Sequence, residues 1–178
     1  MQIRPATPAD VAGIAAIYAH HVARGTGSYE IDPPDDAEMA ARMARVLSAG
    51  WPWLVAEAAN GALLGYAYVS QFRDRAAYRY ACENSIYIRH DCRGQGVGKA
   101  LLAALIGAAR DCGFRQFIAV IGGAEPASIA LHAALGFSHA GRLQAIGRKQ
   151  GRWLDNVYMQ LPLGPGSSVP PDHEPERL

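Results

Sequence analysis

The stretch that most limits what this chain can fold into is ENSIYIRHDCRGQGVGKALL, residues 83–102. An apolar run opens on a carboxylate, Glu83. It closes in a basic loop that places Gly94, Gly96 and Gly98 at every second position, and a helix-like pattern follows. Glycine lets backbone N–H groups be approached closely, and a helix N-terminus adds unpaired donors and the positive end of the macrodipole. A strand, a bare turn and a helix in succession therefore predict a phosphate cradle on a sheet edge.

Spacing separates the loops that build such cradles. A P-loop needs a glycine five residues before its Gly-Lys-Ser/Thr, but Arg93 stands there and Ala100 follows Lys99. A dinucleotide fingerprint needs a third glycine where Lys99 stands. Arg-x-x-Gly-x-Gly across Arg93, Gly96 and Gly98, after an apolar strand, fits what both fail to explain.

Around this unit the periodicity predicts a first strand near residues 2–4 and a helix N-capped by Thr7, with Val11, Ile14, Tyr18 and Val22 on one face. A second helix is expected over 36–49, with Met39, Met43, Val46 and Leu47 inward. A hairpin turns at Asn60-Gly61. A helix over 96–112, a short buried strand at 117–121 and a helix closed by Gly136 lead to two last strands, near 138–147 and 153–161. Hairpins mixed with strand-helix-strand units mean a mixed α/β single domain rather than a regular doubly wound sheet. Residues 1–161 are expected to form it, and the Pro/Gly/Ser-rich segment 162–178 is expected to be disordered.

A formal net charge of +1 with no long basic run gives no case for nucleic acid or an anionic membrane surface. Cys82, Cys92 and Cys112 are an odd set without a CxxC pair, which suits a reducing, cytoplasmic setting. The N-terminus reads as neither signal nor transit peptide, and no apolar run reaches the ~18 residues of a membrane span. His20 and His21 are adjacent, so on a helix they diverge by about 100° and no metal site is expected.

Six ordered blocks, WLVAE, FRDRAAY, ENSIYI, RGQGVG, SIALHAALGF and GRWLDNVYMQL, resemble the GCN5-related N-acetyltransferases, within them the phosphinothricin and methionine sulfoximine acetyltransferases. The resemblance implies a central mixed, mostly antiparallel sheet flanked by helices, and usually a homodimer. It also implies acetyl transfer from acetyl-CoA, as co-substrate and without a metal, to the amine of a small amino acid analogue. Another small amine, a protein amine or a non-catalytic acyl-CoA sensor are the alternatives. The cofactor contacts so implied are Arg93, Gly94, Gln95, Gly96, Val97, Gly98 and Lys99 for the pyrophosphate, the backbone of Ile86, Tyr87 and Ile88, and Ser128. Glu125 departs from the family, which usually has Asn there, and its charge would repel phosphate.

From Glu83 to Arg89 an extended strand spans roughly 20 Å, about the reach of a pantetheine arm. The strand thus acts as a ruler between the phosphate anchor and Glu83, the candidate general base for an amine that arrives as ammonium. His132, where the wider superfamily carries Tyr, is the candidate acid, relay or second base. Arg73 and Arg75 in FRDRAAY, with Tyr78, are candidates to clamp the acceptor's acid groups, and Tyr18 is a weaker one. Cys82 beside Glu83 invites a covalent route, but strand neighbours face opposite sides, so direct transfer in a ternary complex is expected.

Overall fold

The computed structural model describes residues 1–171. Seven strands form one sheet in the order β1-β2-β3-β4-β5-β7-β6. They are β1 (Gln2–Pro5), β2 (Trp53–Glu57), β3 (Leu63–Gln71), β4 (Ala81–Ile88), β5 (Gln116–Gly122), β6 (Ser138–Lys149) and β7 (Arg152–Pro162). All neighbours are antiparallel except β4 and β5. The helices are α1 (Val11–Arg24), α2 (Asp36–Ser48), α3 (Val97–Asp111) and α4 (Pro126–Ala133).

Strict alternation along the central strands builds two cores, one on each face of the sheet. Trp53, Val55 and Tyr66 meet Ile14, Tyr18, Val22, Met39 and Met43 of α1 and α2. Leu54, Ala56, Ala67, Val69, Cys82 and Phe117 meet Leu101, Leu102 and Leu105 of α3, with Ile129 and Leu131 of α4 packed alongside. Leu47 was expected inward on α2 but is 38% exposed, because it lies about 100° around the helix from the buried Val46. The Thr7 capping box is formed, yet it starts a 3-10 turn over Pro8–Asp10 that leads into α1. Arg4 clamps Asp10 and Glu57 at this corner, at 2.8 and 2.6 Å.

Beyond the expected domain end, Leu163 is 2% exposed. Its N–H donates to Arg115 O at 3.0 Å, so packing runs past residue 161. The expectation of disorder over 172–178 lies outside the described residues.

The feature that positions the site is a fork. The parallel pairing of β4 and β5 runs only from Ala81↔Gln116 to Asn84↔Ala119, while β4 continues to Ile88 and β5 to Gly122. On its other side β4 stays paired with β3 out to Ile88↔Gly65. One backbone edge of residues 85–88 therefore faces an opening rather than a neighbouring strand.

Candidate active site

A cleft of about 1010 Å³ occupies the fork. Its lining includes Glu83, Asn84 and Ser85 at the base, Ile86, Tyr87 and Ile88 along the open edge, and Arg93, Gly94, Gly96, Gly98 and Lys99 at the far end of β4. Ser128, His132 and Glu125 of the α4 region also line it. The two ends of ENSIYIRHDCRGQGVGK thus open onto one cavity.

The glycine loop is built as a cradle. Gly94 and Gly96 take φ of +73° and +80°, which L side chains rarely adopt, and Gly96 caps the start of α3. The first N–H to find a partner inside that helix is Ala100's, which donates to Gly96 O at 3.1 Å. The N–H groups of the preceding turn are left to an outside acceptor. A Cβ on either glycine would meet nothing within 4 Å, so both backbones face open space. This donor set fits a pyrophosphate, and the exposed β4 edge fits an amide-bearing arm, as acetyl-CoA requires. Gln95 and Val97 do not line the cleft. Gln95 Nε2 donates to Asp91 O at 3.1 Å, and Val97, the first residue of α3, is buried in the core.

Two further contacts fasten the loop. His21 Nε2 donates to Ile88 O at 2.9 Å, and Arg93 donates to His21 Nδ1 at 3.5 Å. Burial lowers the His21 pKa, which favours the neutral ring, with Nδ1 free to accept. His20 turns away and stacks on His90, with ring centroids 4.2 Å apart. Among the described residues no His, Cys, Asp and Glu cluster suits a metal.

At the base, burial raises the Glu83 pKa and the charge of Arg73 partly counters it. A carboxyl whose pKa is raised while it stays open to a cleft is a stronger proton acceptor than an ordinary carboxylate. Cys82 faces the opposite core, is fully buried, and its thiol is pushed well up by burial. It is not a nucleophile for this cleft.

His132 is 1% exposed, with Nδ1 2.8 Å from Ser128 O and Nε2 3.1 Å from Asn84 Oδ1. Burial lowers its pKa, and the Ser128 carbonyl only partly counters this. Arg73, Arg75 and Tyr78 lie on the exposed segment after β3 and do not line the cleft. Arg73 rests on the Phe72 ring, 4.4 Å from its centroid, and only its charge is felt at Glu83. Tyr78, 40% exposed, meets the edge of the same ring.

Tyr18, the weaker candidate from α1, does line the cleft, together with Ser28 and Glu30, which residue type alone does not single out. Tyr18 OH bonds Ser28 Oγ and Glu30 Oε1, each at 2.9 Å, and burial pushes its pKa up to about 12. Lys149, the last residue of β6, donates to Ser28 O at 2.7 Å and so holds this wall from behind. Asn84 was hidden as the neighbour of Glu83. Strand alternation was its only signal, since it must face the side opposite Glu83.

Residues 3–158 match the family model described as an acetyltransferase (GNAT) domain. A phosphinothricin N-acetyltransferase from Alcaligenes faecalis is 52% identical over 164 residues, 92% of this chain and 83% of that protein. An L-methionine sulfoximine/L-methionine sulfone acetyltransferase from Pseudomonas aeruginosa is 42% identical over 168 residues, 94% of this chain and 98% of that one. A crystal structure of a phosphinothricin acetyltransferase from Sinorhizobium meliloti in complex with acetyl-CoA superposes with a TM-score of 0.96 at 49% identity. It covers 99% of this chain and 95% of that one. The forked sheet, the glycine cradle and these matches agree: the chain belongs to the GNAT acetyltransferase family.

Proposed function

We propose that this protein moves an acetyl group from acetyl-CoA to the amine of a small amino acid analogue of the phosphinothricin or methionine sulfoximine type, by direct transfer in a ternary complex. The observation that carries the reading is a half-buried carboxyl with a raised pKa, Glu83, in the same cleft as an unshielded helix N-terminus at the other end of β4. The relatives named above act on such acceptors, and this supports the choice of substrate.

Acetyl-CoA supplies an acetyl group activated as a thioester. The N–H groups of 94–99, with Arg93 and Lys99, hold its pyrophosphate, while the open edge of Ile86, Tyr87 and Ile88 aligns the arm and Ser128 borders it. Glu83 takes the proton that an incoming ammonium must lose before its nitrogen can attack. His132, buried beside the fork, is the acid or relay for the departing sulfur. Arg73 and Arg75, with Tyr78, stand outside the cleft on the exposed loop beyond β3 and are the candidates to attract the acceptor's acid groups from there, Arg73 being the one whose charge reaches Glu83. The protein acts in the cytoplasm, in keeping with three free cysteines, and as a homodimer through its outer β6–β7 hairpin.

Thiol release measured against pH tests the assignment. Glu83→Gln is expected to lower kcat by about 10²–10⁴-fold and to abolish the acid limb of the wild-type profile. An unchanged rate with an unchanged limb removes Glu83 as the base. No thiol release from any amino acid analogue removes the acetyl-transfer reading itself.

A further inference from the structure

His132 is held by two groups, and the identity of each fixes where its protons lie. Asn84 is 7% exposed and sits on the last paired position of the β4–β5 fork. Its Nδ2 donates to Ile118 O at 3.1 Å. A carbonyl oxygen only accepts, so the carboxamide has one sensible orientation, and Oδ1 is the atom turned to His132 Nε2 at 3.1 Å. Oδ1 also only accepts. Nε2 must therefore carry hydrogen to be satisfied, and Ser128 O, 2.8 Å from Nδ1, asks the same of the other nitrogen.

A neutral imidazole cannot meet both demands, and only the cation can. With the ring neutral, Ser128 Oγ, 3.4 Å from Nδ1, is the one nearby hydroxyl able to donate to that nitrogen and leave the hydrogen on Nε2. Burial opposes the charge more than the Ser128 carbonyl favours it, so the pKa of the ring is lowered and the neutral form is favoured. Phe137, edge-on with its centroid 4.9 Å away, blocks the ring from turning toward other partners.

We propose that Asn84 is a positioning residue for acetyl transfer: locked to Ile118 O, it presents His132 Nε2 with an acceptor alone and so keeps a proton on the nitrogen at the fork. The same carboxamide ties β5, β4 and α4 together at the point where the strands part. The chemical consequence rests on the acetyl-transfer reading, whereas the proton placement does not.

Imidazole ¹⁵N spectra of the full chain test the placement directly. Protonated Nε2 is expected in the wild type across the range where the protein stays folded. In Asn84→Leu the ring is expected to switch to the neutral form protonated at Nδ1, donating to Ser128 O. Asn84→Asp keeps an acceptor at Nε2 and adds charge, so it should preserve the Nε2 proton and raise the His132 pKa by about a unit or more. In turnover, Asn84→Leu should lower kcat roughly tenfold or more while the acetyl-CoA KM moves less than about threefold, and Asn84→Asp should shift the limb set by His132 to higher pH. A wild-type ring protonated at Nδ1 alone overturns the proposal. So does an Asn84→Leu protein with unchanged ring signals, kcat and pH profile. Should Asn84→Leu not fold, Asn84→Asp decides: an unmoved His132 pKa overturns the proposal. Absence of turnover in the wild type strikes the acetyl-transfer reading and leaves the spectral result standing on its own.

Discussion

Single ionisable groups here do two separable jobs, and proton linkage distinguishes them. Asp10 accepts from Arg4 and from the Thr7 N–H, and these bonds, the Arg4 pair foremost, lower its pKa from 3.8 to about 2 against the opposing effect of burial. A carboxyl depressed in the folded state adds stability that is complete above its unfolded pKa and is lost as pH falls through the folded one. The shift is worth about 2 kcal/mol. Asp10→Asn should therefore be less stable in urea unfolding at neutral pH by about 2 kcal/mol, and the gap to wild type should close as pH falls from about 4 to about 2. Glu83 has the opposite sign and a different use, for its raised pKa brings protonation nearer to working pH. Arg73 holds that pKa down in part, so Arg73→Ala should move the acid limb of turnover to higher pH. A limb that stays in place would mean the two charges do not communicate.

At the level of elements, the glycine loop was readable because both its demands are written locally. Alternating glycines follow an apolar strand, and spacing alone rejects the other phosphate loops. In Gly96→Ala the new Cβ meets no atom, so any effect comes from forcing φ near +80° on a residue that resists it by about 1–2 kcal/mol and from a methyl group on the face offered to the ligand. The acetyl-CoA KM is expected to rise roughly tenfold with the acceptor KM within about twofold. Equal changes in both would mean that the helix start, not the cradle, was disturbed. The apolar runs on either side of Asn60-Gly61 likewise mark two strands of a hairpin, and every strand and helix expected from periodicity is present within a few residues. What sequence could not carry is the fork. It depends on where a parallel pairing stops, and nothing in FIAVI or ENSIYI marks Asn84↔Ala119 as the last pair. For the same reason Asn84, His21 and Lys149 were passed over, since each acts on a residue far away in the chain. Arg73, Arg75 and Tyr78 were singled out by residue type, yet they lie on an exposed segment outside the cleft.

At the scale of the molecule, the sheet ends asymmetrically. The β1 edge is short, four residues ending on a proline, whereas β6 runs for twelve residues with its outer side unpaired. Long open edges invite pairing and are usually blunted. Here the register of β6 slips between Leu143 and Gly147, and Ala145 at φ +50° donates its N–H to Asp155 Oδ1 at 2.8 Å, which breaks the edge into two parts. Leu143, Ile146 and Trp153 are 45%, 55% and 63% exposed on this one hairpin, a concentration of open apolar surface without equal elsewhere among the described residues. Burial of such side chains at about 25 cal/mol per Å² is the usual source of affinity between subunits, and a stable interface hides roughly 1,200–2,000 Å² in total. A second copy meeting hairpin to hairpin satisfies both the open edge and the apolar side chains by one symmetry operation. Sedimentation should then give a dimer for the wild type and a monomer for Trp153→Asp combined with Ile146→Asp. Because Lys149 of the same hairpin supports Ser28 on the cleft wall, the monomer should also show a raised acceptor KM with the acetyl-CoA KM little changed. A wild-type monomer, or a doubly substituted protein that remains dimeric, excludes this hairpin as the contact.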